Sequence, residues 1–120
     1  MKLTKGIFID SENETISVIY LDESKDQQYK LIQEVVGGLM EYVPIRTIGN
    51  NDLIVNEEGK FKFDKGFRIK GFHERLSGSG LILGMEIDEN GEETGENGDT
   101  TMTIEQLYGM VQFCKVPIWV

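Results

Sequence analysis

The chain has 120 residues and a mass of 13.6 kDa, so we expect a single domain spanning residues 1–120. Its composition, with 39% hydrophobic and 28% charged residues, is ordinary for a soluble globular protein. No run of about 18 apolar residues is present, which excludes a membrane-spanning helix. The apolar run near the N-terminus breaks at Asp10 and is too short for a signal peptide, so we expect a cytoplasmic protein.

The charge is strongly negative and unevenly distributed. A net charge of −9 disfavours nucleic acid as a direct partner, because the phosphate backbone would be repelled. Residues 60–75 nevertheless carry six lysines and arginines against two carboxylates, whereas residues 86–106 carry eight carboxylates and no lysine or arginine. The sequence therefore predicts one basic patch and one strongly acidic patch.

The N-terminal third predicts a hairpin followed by a helix. Segments 6–10 and 15–22 are rich in β-branched and aromatic residues, which favours two strands joined through a polar turn. A helix is expected from about residue 24 to 37, with Ser24 and Gln27 forming a capping box. Gly37 and Gly38 are expected to end it, since glycine enters the left-handed conformation without steric cost. The apolar stripe of this helix comprises Tyr29, Ile32, Val35 and Val36.

The middle of the chain predicts further short strands. Segment 39–45 is expected to be a strand at an edge, or one that ends at Pro44. Segments 52–55 and 60–63 read as two strands joined by a tight turn, and segment 81–87 as a central strand. Residues 89–101, rich in glycine and acidic side chains, are expected to form a mobile loop.

The C-terminal part predicts a second helix and an extended end. Thr103 and Gln106 have the spacing of a capping box. An apolar stripe with helical spacing indicates a helix over residues 103–113, followed by an extended segment at 115–120. Short strands with two helices indicate an α+β fold with a mostly antiparallel sheet of about 5–7 strands. The stripe comprises Ile104, Leu107, Tyr108 and Val111.

Three segments carry a resemblance to a known family. Leu31–Glu41 resembles a signature of hydrophobic residues around Val-Gly-Gly that ends in glutamate, and Asp52–Lys60 resembles a short strand with an acidic turn. Gly80–Gly84 is similar more weakly, and together the segments resemble domain of unknown function family 3846. The resemblance implies a setting in bacteriophages or mobile elements of bacteria, without an established reaction. Residues 63–80 depart from the family, which usually has a segment containing proline and asparagine there.

Our first functional hypothesis assigns partner binding to the acidic residues. A non-enzymatic protein could use them to bind a host protein, competing with nucleic acid for its basic groove. A calcium loop would need glycine at its sixth position and glutamate at its twelfth, where this chain has Glu93 and Asp99, so we expect no metal site. The predicted partner-binding residues are Glu86, Asp88, Glu89, Glu92, Glu93, Glu96 and Asp99.

The alternative hypothesis is a binder of nucleotide-like small ligands. Aromatic rings stack on bases while cations contact phosphates, and the segment 60–75 interleaves the two residue types. The competing structural interpretation is an amphipathic hairpin with Phe61, Phe63, Phe67 and Ile69 in the core. The ligand-binding residues of this alternative are Lys62, Phe67, Arg68, Lys70, Phe72, His73 and Arg75.

Catalysis is weakly supported by the sequence. His73 is the single histidine and Cys114 the single cysteine, and neither lies in a local catalytic motif. We therefore predict no enzymatic activity, no catalytic residue and no cofactor. Pairing of two copies through the strand carrying Pro44, or through segment 116–120, is left open.

Overall fold

The computed structural model describes residues 3–22 and 24–119, with the side chains at positions 25 and 26 excepted. Within these residues the chain forms two antiparallel sheets and two α-helices, which confirms the α+β class and the mostly antiparallel sheet. In chain order the elements are β1 (Leu3–Asp10), β2 (Thr15–Asp22), α1 (Lys25–Val36), β3 (Met40–Val43), β4 (Asn51–Asn56), β5 (Lys65–Ile69), β6 (Leu76–Ser77), β7 (Gly80–Ile87), β8 (Glu93–Gly98), α2 (Ile104–Tyr108) and β9 (Val111–Lys115).

The larger sheet has β7 at its centre. Its strands lie in the order β2-β1-β7-β4-β3, and β8 also pairs with β7. β1 pairs with residues 80–82 of β7 and β8 with residues 84–87, so these two strands follow each other along one edge of β7. β4 occupies the opposite edge. The prediction of a central strand at 81–87 is therefore confirmed.

Helix α1 covers one face of the larger sheet. Ile32 and Val36 are buried, as the apolar stripe predicted, but Tyr29 is exposed. Gln28 is buried instead, and its side-chain amide donates to the hydroxyl of Thr4 at 3.2 Å. The residues of the sheet that pack with this face of the helix are Leu21, Ile54, Leu81 and Leu83.

The two ends of α1 differ in how well the sequence predicted them. The capping box at the N-terminus is wrong: the Ser24 side chain makes no capping hydrogen bond, and its N–H donates to the Asp22 carboxylate at 2.8 Å. At the C-terminus Gly37 has φ of 85°, and the N–H groups of Gly37 and Gly38 both donate to the Gln33 carbonyl at 2.9 Å. The glycine-terminated helix is therefore confirmed.

The smaller sheet, β6-β5-β9, packs on the other face of the larger sheet together with α2. From β5, Phe67 and Ile69 point into the space between the sheets and are fully or almost fully buried. A Cβ added to Gly80 would lie 2.9 Å from the Phe67 ring, so the ring rests on bare backbone of β7. The larger sheet contributes the buried residues Ile7, Ile9, Leu53, Val55 and Ile82 to this core.

Of three strand and loop predictions in the middle of the chain, two are wrong and one is confirmed with shorter bounds. Segment 60–63 is not a strand, because Gly59–Phe61 forms a 3-10 turn. The predicted strand 39–45 is shorter, since β3 ends at Val43 before Pro44, although it is an edge strand as expected. The predicted loop 89–101 contains β8, which is held by its pairing with β7.

The second helix begins as predicted but ends early. The Thr103 N–H donates to the Gln106 side chain at 2.8 Å and the Gln106 N–H to the Thr103 hydroxyl at 3.1 Å, which confirms the capping box. The helix covers Ile104–Tyr108, and Val111 begins β9, which pairs with β5. Residues 116–119 have no regular structure, and Val120 of the predicted extended end lies outside the described residues.

In the described part of the chain, no helix has the length and apolar character needed to cross a membrane.

Candidate functional site

The seven acidic residues predicted to bind a partner all lie on one hairpin. We call β7 from Gly84 onward, β8 and the residues to Thr100 the acidic hairpin. Each of the seven side chains is exposed. The structure therefore brings the seven residues together on one antiparallel ribbon, where the sequence predicted a loop.

Two of the seven carboxylates stabilise the hairpin itself. Asp88 accepts the N–H groups of Asn90 and Glu92 at 2.9 Å, which closes the turn between β7 and β8. Asp99 accepts the Lys5 N–H at 2.7 Å and so ties the end of the hairpin to β1. The other five of the seven are Glu86, Glu89, Glu92, Glu93 and Glu96, whose side chains are exposed on the same hairpin.

Beside the hairpin lies a shallow depression of about 180 Å³ on the face of the larger sheet that α1 also occupies. Half-buried Asp52 of β4 lies in it, and burial, together with the negative charge of Glu93, raises the pKa of its carboxyl group. The amide of Asn97 donates to the Tyr42 hydroxyl across the depression at 3.4 Å. The acidic surface thus extends from the hairpin onto the sheet.

The basic and aromatic segment 60–75 does not form one surface. Phe67 is 0% exposed, so the stacking role predicted for it is wrong, and the core position of the competing interpretation is confirmed. Phe61 is 52% exposed and not part of that core. Phe72 is half-buried against the core, with its ring centroid 5.2 Å from that of His73. Strand pairing places Ile69 in the core with Phe67.

The cations of the segment also separate. One groove is lined by Arg68, His73 and Arg75. Lys62, by contrast, reaches towards Gly38, which follows helix α1 in the chain. Lys70 is exposed and does not line the groove, and its N–H donates to the Met110 carbonyl at 2.9 Å. The structure therefore keeps three of the seven residues of the alternative hypothesis in a common site.

We call this site the C-terminal groove. It has a volume of about 540 Å³ and lies between the loop after β5 and the segment after β9. Besides Arg68, His73 and Arg75, its walls include Lys60 and Trp119. Sequence reasoning missed Trp119, because a single tryptophan in a segment without a motif does not indicate a binding site. The wall that it forms with Lys60 depends on a contact between residues far apart in the sequence.

Comparison with models of protein families shows which family this chain is related to. The model described as Domain of unknown function (DUF3846) matches residues 3–111. The chain belongs to this family. No curated protein and no solved structure matches it.

The segments that carried the DUF3846 resemblance form the scaffold. Leu31–Glu41 is the second half of α1 with the turn into β3, and Asp52–Lys60 is most of β4 with the following turn. Gly80–Gly84 is the part of β7 that pairs with β1 and β4. The match ends at the first residue of β9, so Trp119 lies beyond it.

His73 and Cys114 have different surroundings in this DUF3846 member. His73 is at the rim of the C-terminal groove, with 81% of its side chain exposed, 3.6 Å from the Glu74 carboxylate. Cys114 is on β9 opposite Gly66 of β5 and does not line the groove. Nucleophilic catalysis requires the base within hydrogen-bonding reach of the thiol.

Proposed function

We propose that this DUF3846 protein is a non-enzymatic accessory protein that binds a basic host protein through the acidic hairpin. The observation that carries the proposal is the gathering of exposed carboxylates on one ribbon, without a lysine or arginine anywhere between Arg75 and Lys115. The acidic hairpin itself therefore has no lysine or arginine that would repel a basic groove on a partner.

The mechanism we propose is electrostatic competition. Complementary charge accelerates encounter and fixes the orientation of a complex. A host protein that binds nucleic acid has a basic groove, and a carboxylate-bearing ribbon in this groove would exclude the phosphate backbone. Candidate partners are therefore nucleases, polymerases and defence enzymes.

The proposed setting is the cytoplasm of a bacterial host of a phage or mobile element. It is supported by the resemblance of the chain to phage- and mobile-element-borne proteins. The net charge of −9 supports a protein partner over a direct nucleic-acid partner.

The test neutralises the four carboxylates nearest the tip and the outer strand of the hairpin. Tagged protein is used to capture partners from a bacterial lysate, and the affinity of each captured protein is then measured in purified form. If each exposed contact contributes about 0.5 kcal/mol, the quadruple variant binds roughly 30-fold more weakly. Wild-type affinity also falls between about 50 mM and about 200 mM salt. The substitutions are Glu89→Gln, Glu92→Gln, Glu93→Gln and Glu96→Gln.

A matched control separates the hairpin from net charge. The control removes four exposed carboxylates elsewhere on the chain, with the same total charge change, and is expected to retain the partner. Equal loss in both variants, or binding that is insensitive to salt and to nucleic acid as competitor, would contradict the proposal. The control substitutions are Glu14→Gln, Glu34→Gln, Glu58→Gln and Glu105→Gln.

A further inference from the structure

The C-terminal groove carries an exposed tryptophan whose main chain is hydrogen-bonded to the fold. Trp119 is 61% exposed, yet its N–H donates to the Lys60 carbonyl at 2.7 Å. The Lys60 ammonium lies 5.9 Å from the centroid of the indole ring, within the range of a cation–π contact. The main chain at Trp119 is therefore held in place and the indole ring is presented to solvent, as a stacking platform needs to be.

The opposite wall of the groove is also anchored. The Arg75 guanidinium donates to the Lys115 carbonyl at 3.1 Å, and the Val116 N–H donates to the Asp64 carbonyl at 2.9 Å. The first bond joins the loop after β5 to the last residue of β9, and the second joins the residue before β5 to the segment after β9. The groove is thus a built feature of the fold, with main chain fixed on both sides.

The charge of the groove is opposite to that of the whole chain. Lys60, Arg68 and Arg75 line it together with His73, and Glu74 is the single acidic residue among the described residues that form its walls. The Glu74 carboxylate lies at the rim, 3.6 Å from the His73 imidazole, and its side chain is exposed. Against a net charge of −9, this concentration of cations creates a local site for an anion.

We propose that the C-terminal groove binds a mononucleotide, with the base stacked on Trp119 and the phosphate held by Arg68, Arg75 and Lys60. Guanidinium groups match phosphate oxygens in a bidentate way, and indole stacks on any base. A volume of about 540 Å³ is that of a small-molecule site. This site is separate from the acidic hairpin and goes beyond the function proposed above.

The net charge of the protein favours a mononucleotide over an oligonucleotide as the ligand. An oligonucleotide adds one phosphate with every further nucleotide. Phosphates outside the groove would face a protein with 21 acidic and 12 basic residues and would be repelled. A mononucleotide places its few charges inside the groove alone. We therefore expect affinity for a mononucleotide to exceed that for a short oligonucleotide.

The test uses the full chain and its own fluorescence. Trp119 is the single tryptophan, so stacking of a base is read directly as quenching of its emission. Saturable quenching is expected with purine mononucleotides, in parallel with heat measured by calorimetry. Inorganic phosphate is expected to compete with the nucleotide without quenching. Absence of both quenching and heat at millimolar AMP and GMP would overturn the proposal.

Variants assign the binding to the groove rather than to segment 60–75 as a whole. Arg68→Gln and Lys60→Gln are each expected to weaken nucleotide binding at least tenfold, whereas Lys70→Gln, an exposed cation outside the groove, leaves it unchanged. Trp119→Ala is expected to abolish the preference for nucleotide over phosphate, read by calorimetry. Equal loss with Lys70→Gln, or tighter binding of a short oligonucleotide than of the mononucleotide, contradicts the proposal.

Discussion

Phe67 provides a direct test of the conclusion that this residue of the basic and aromatic segment belongs to the core rather than to a stacking surface. Its side chain is 0% exposed and packs on the bare backbone at Gly80. Removing roughly 150 Å² of buried aromatic surface at about 25 cal/mol per Å² costs about 4 kcal/mol, within the usual range for Phe→Ala in a core. Because a domain of this size is stable by about 5–15 kcal/mol, Phe67→Ala should remove a large share of the stability.

Chemical denaturation followed by circular dichroism measures this loss. Phe61→Ala is the matched control, because Phe61 is the same residue type in the same segment but 52% exposed, and it should cost about 1 kcal/mol or less. Phe67→Leu keeps most of the buried volume and should cost about 1.5 kcal/mol. If Phe67→Ala and Phe61→Ala destabilise the protein equally, the placement of Phe67 between the two sheets is wrong.

Two further predictions concern Asp52 and α2. Burial and the charge of Glu93 raise the pKa of Asp52 above 3.8 in the folded protein. The unfolded chain therefore loses the carboxyl proton at a lower pH than the folded protein. Between the unfolded and the folded pKa of Asp52, the free energy of unfolding falls as the pH rises. Asp52→Asn should therefore raise Tm at neutral pH but not at a pH below 3.8, and an equal gain at both pH values would disprove this cause. Thr103→Ala removes the capping hydrogen bond to the Gln106 N–H and should cost about 1 kcal/mol in denaturant titrations, while Thr103→Ser should cost less.

The elements that were predictable from the sequence are those whose signals are local. The β1–β2 hairpin is formed by two adjacent segments rich in β-branched and aromatic residues. The end of α1 is marked by Gly37, whose left-handed backbone conformation favours glycine. β8, by contrast, reads Glu-Thr-Gly-Glu-Asn-Gly and contains no apolar residue. It is a strand because β7 extends beyond β1 and leaves an edge to pair with, which is a property of the assembled sheet.

The smaller sheet was missed for a related reason. Val111 continues the helical spacing of Leu107, so the sequence favoured a longer α2. In the structure Val111 and the residues that follow it pair with β5, the pair closest in sequence being Ile69 with Val111. Long-range pairing of this kind overrides local periodicity. The same dependence on distant contacts hid the C-terminal groove, because Trp119 becomes part of a wall only through Lys60.

The boundary of the family match leaves part of the C-terminal groove outside the matched residues. The match ends at Val111, so most of β9 and the segment bearing Trp119 lie beyond the part shared with the family. Because Trp119 is exposed, exchanging it should cost little stability and leave the larger sheet intact. Nucleotide binding in the C-terminal groove, as proposed above, should therefore be tested separately in each DUF3846 relative, because the family match does not include Trp119.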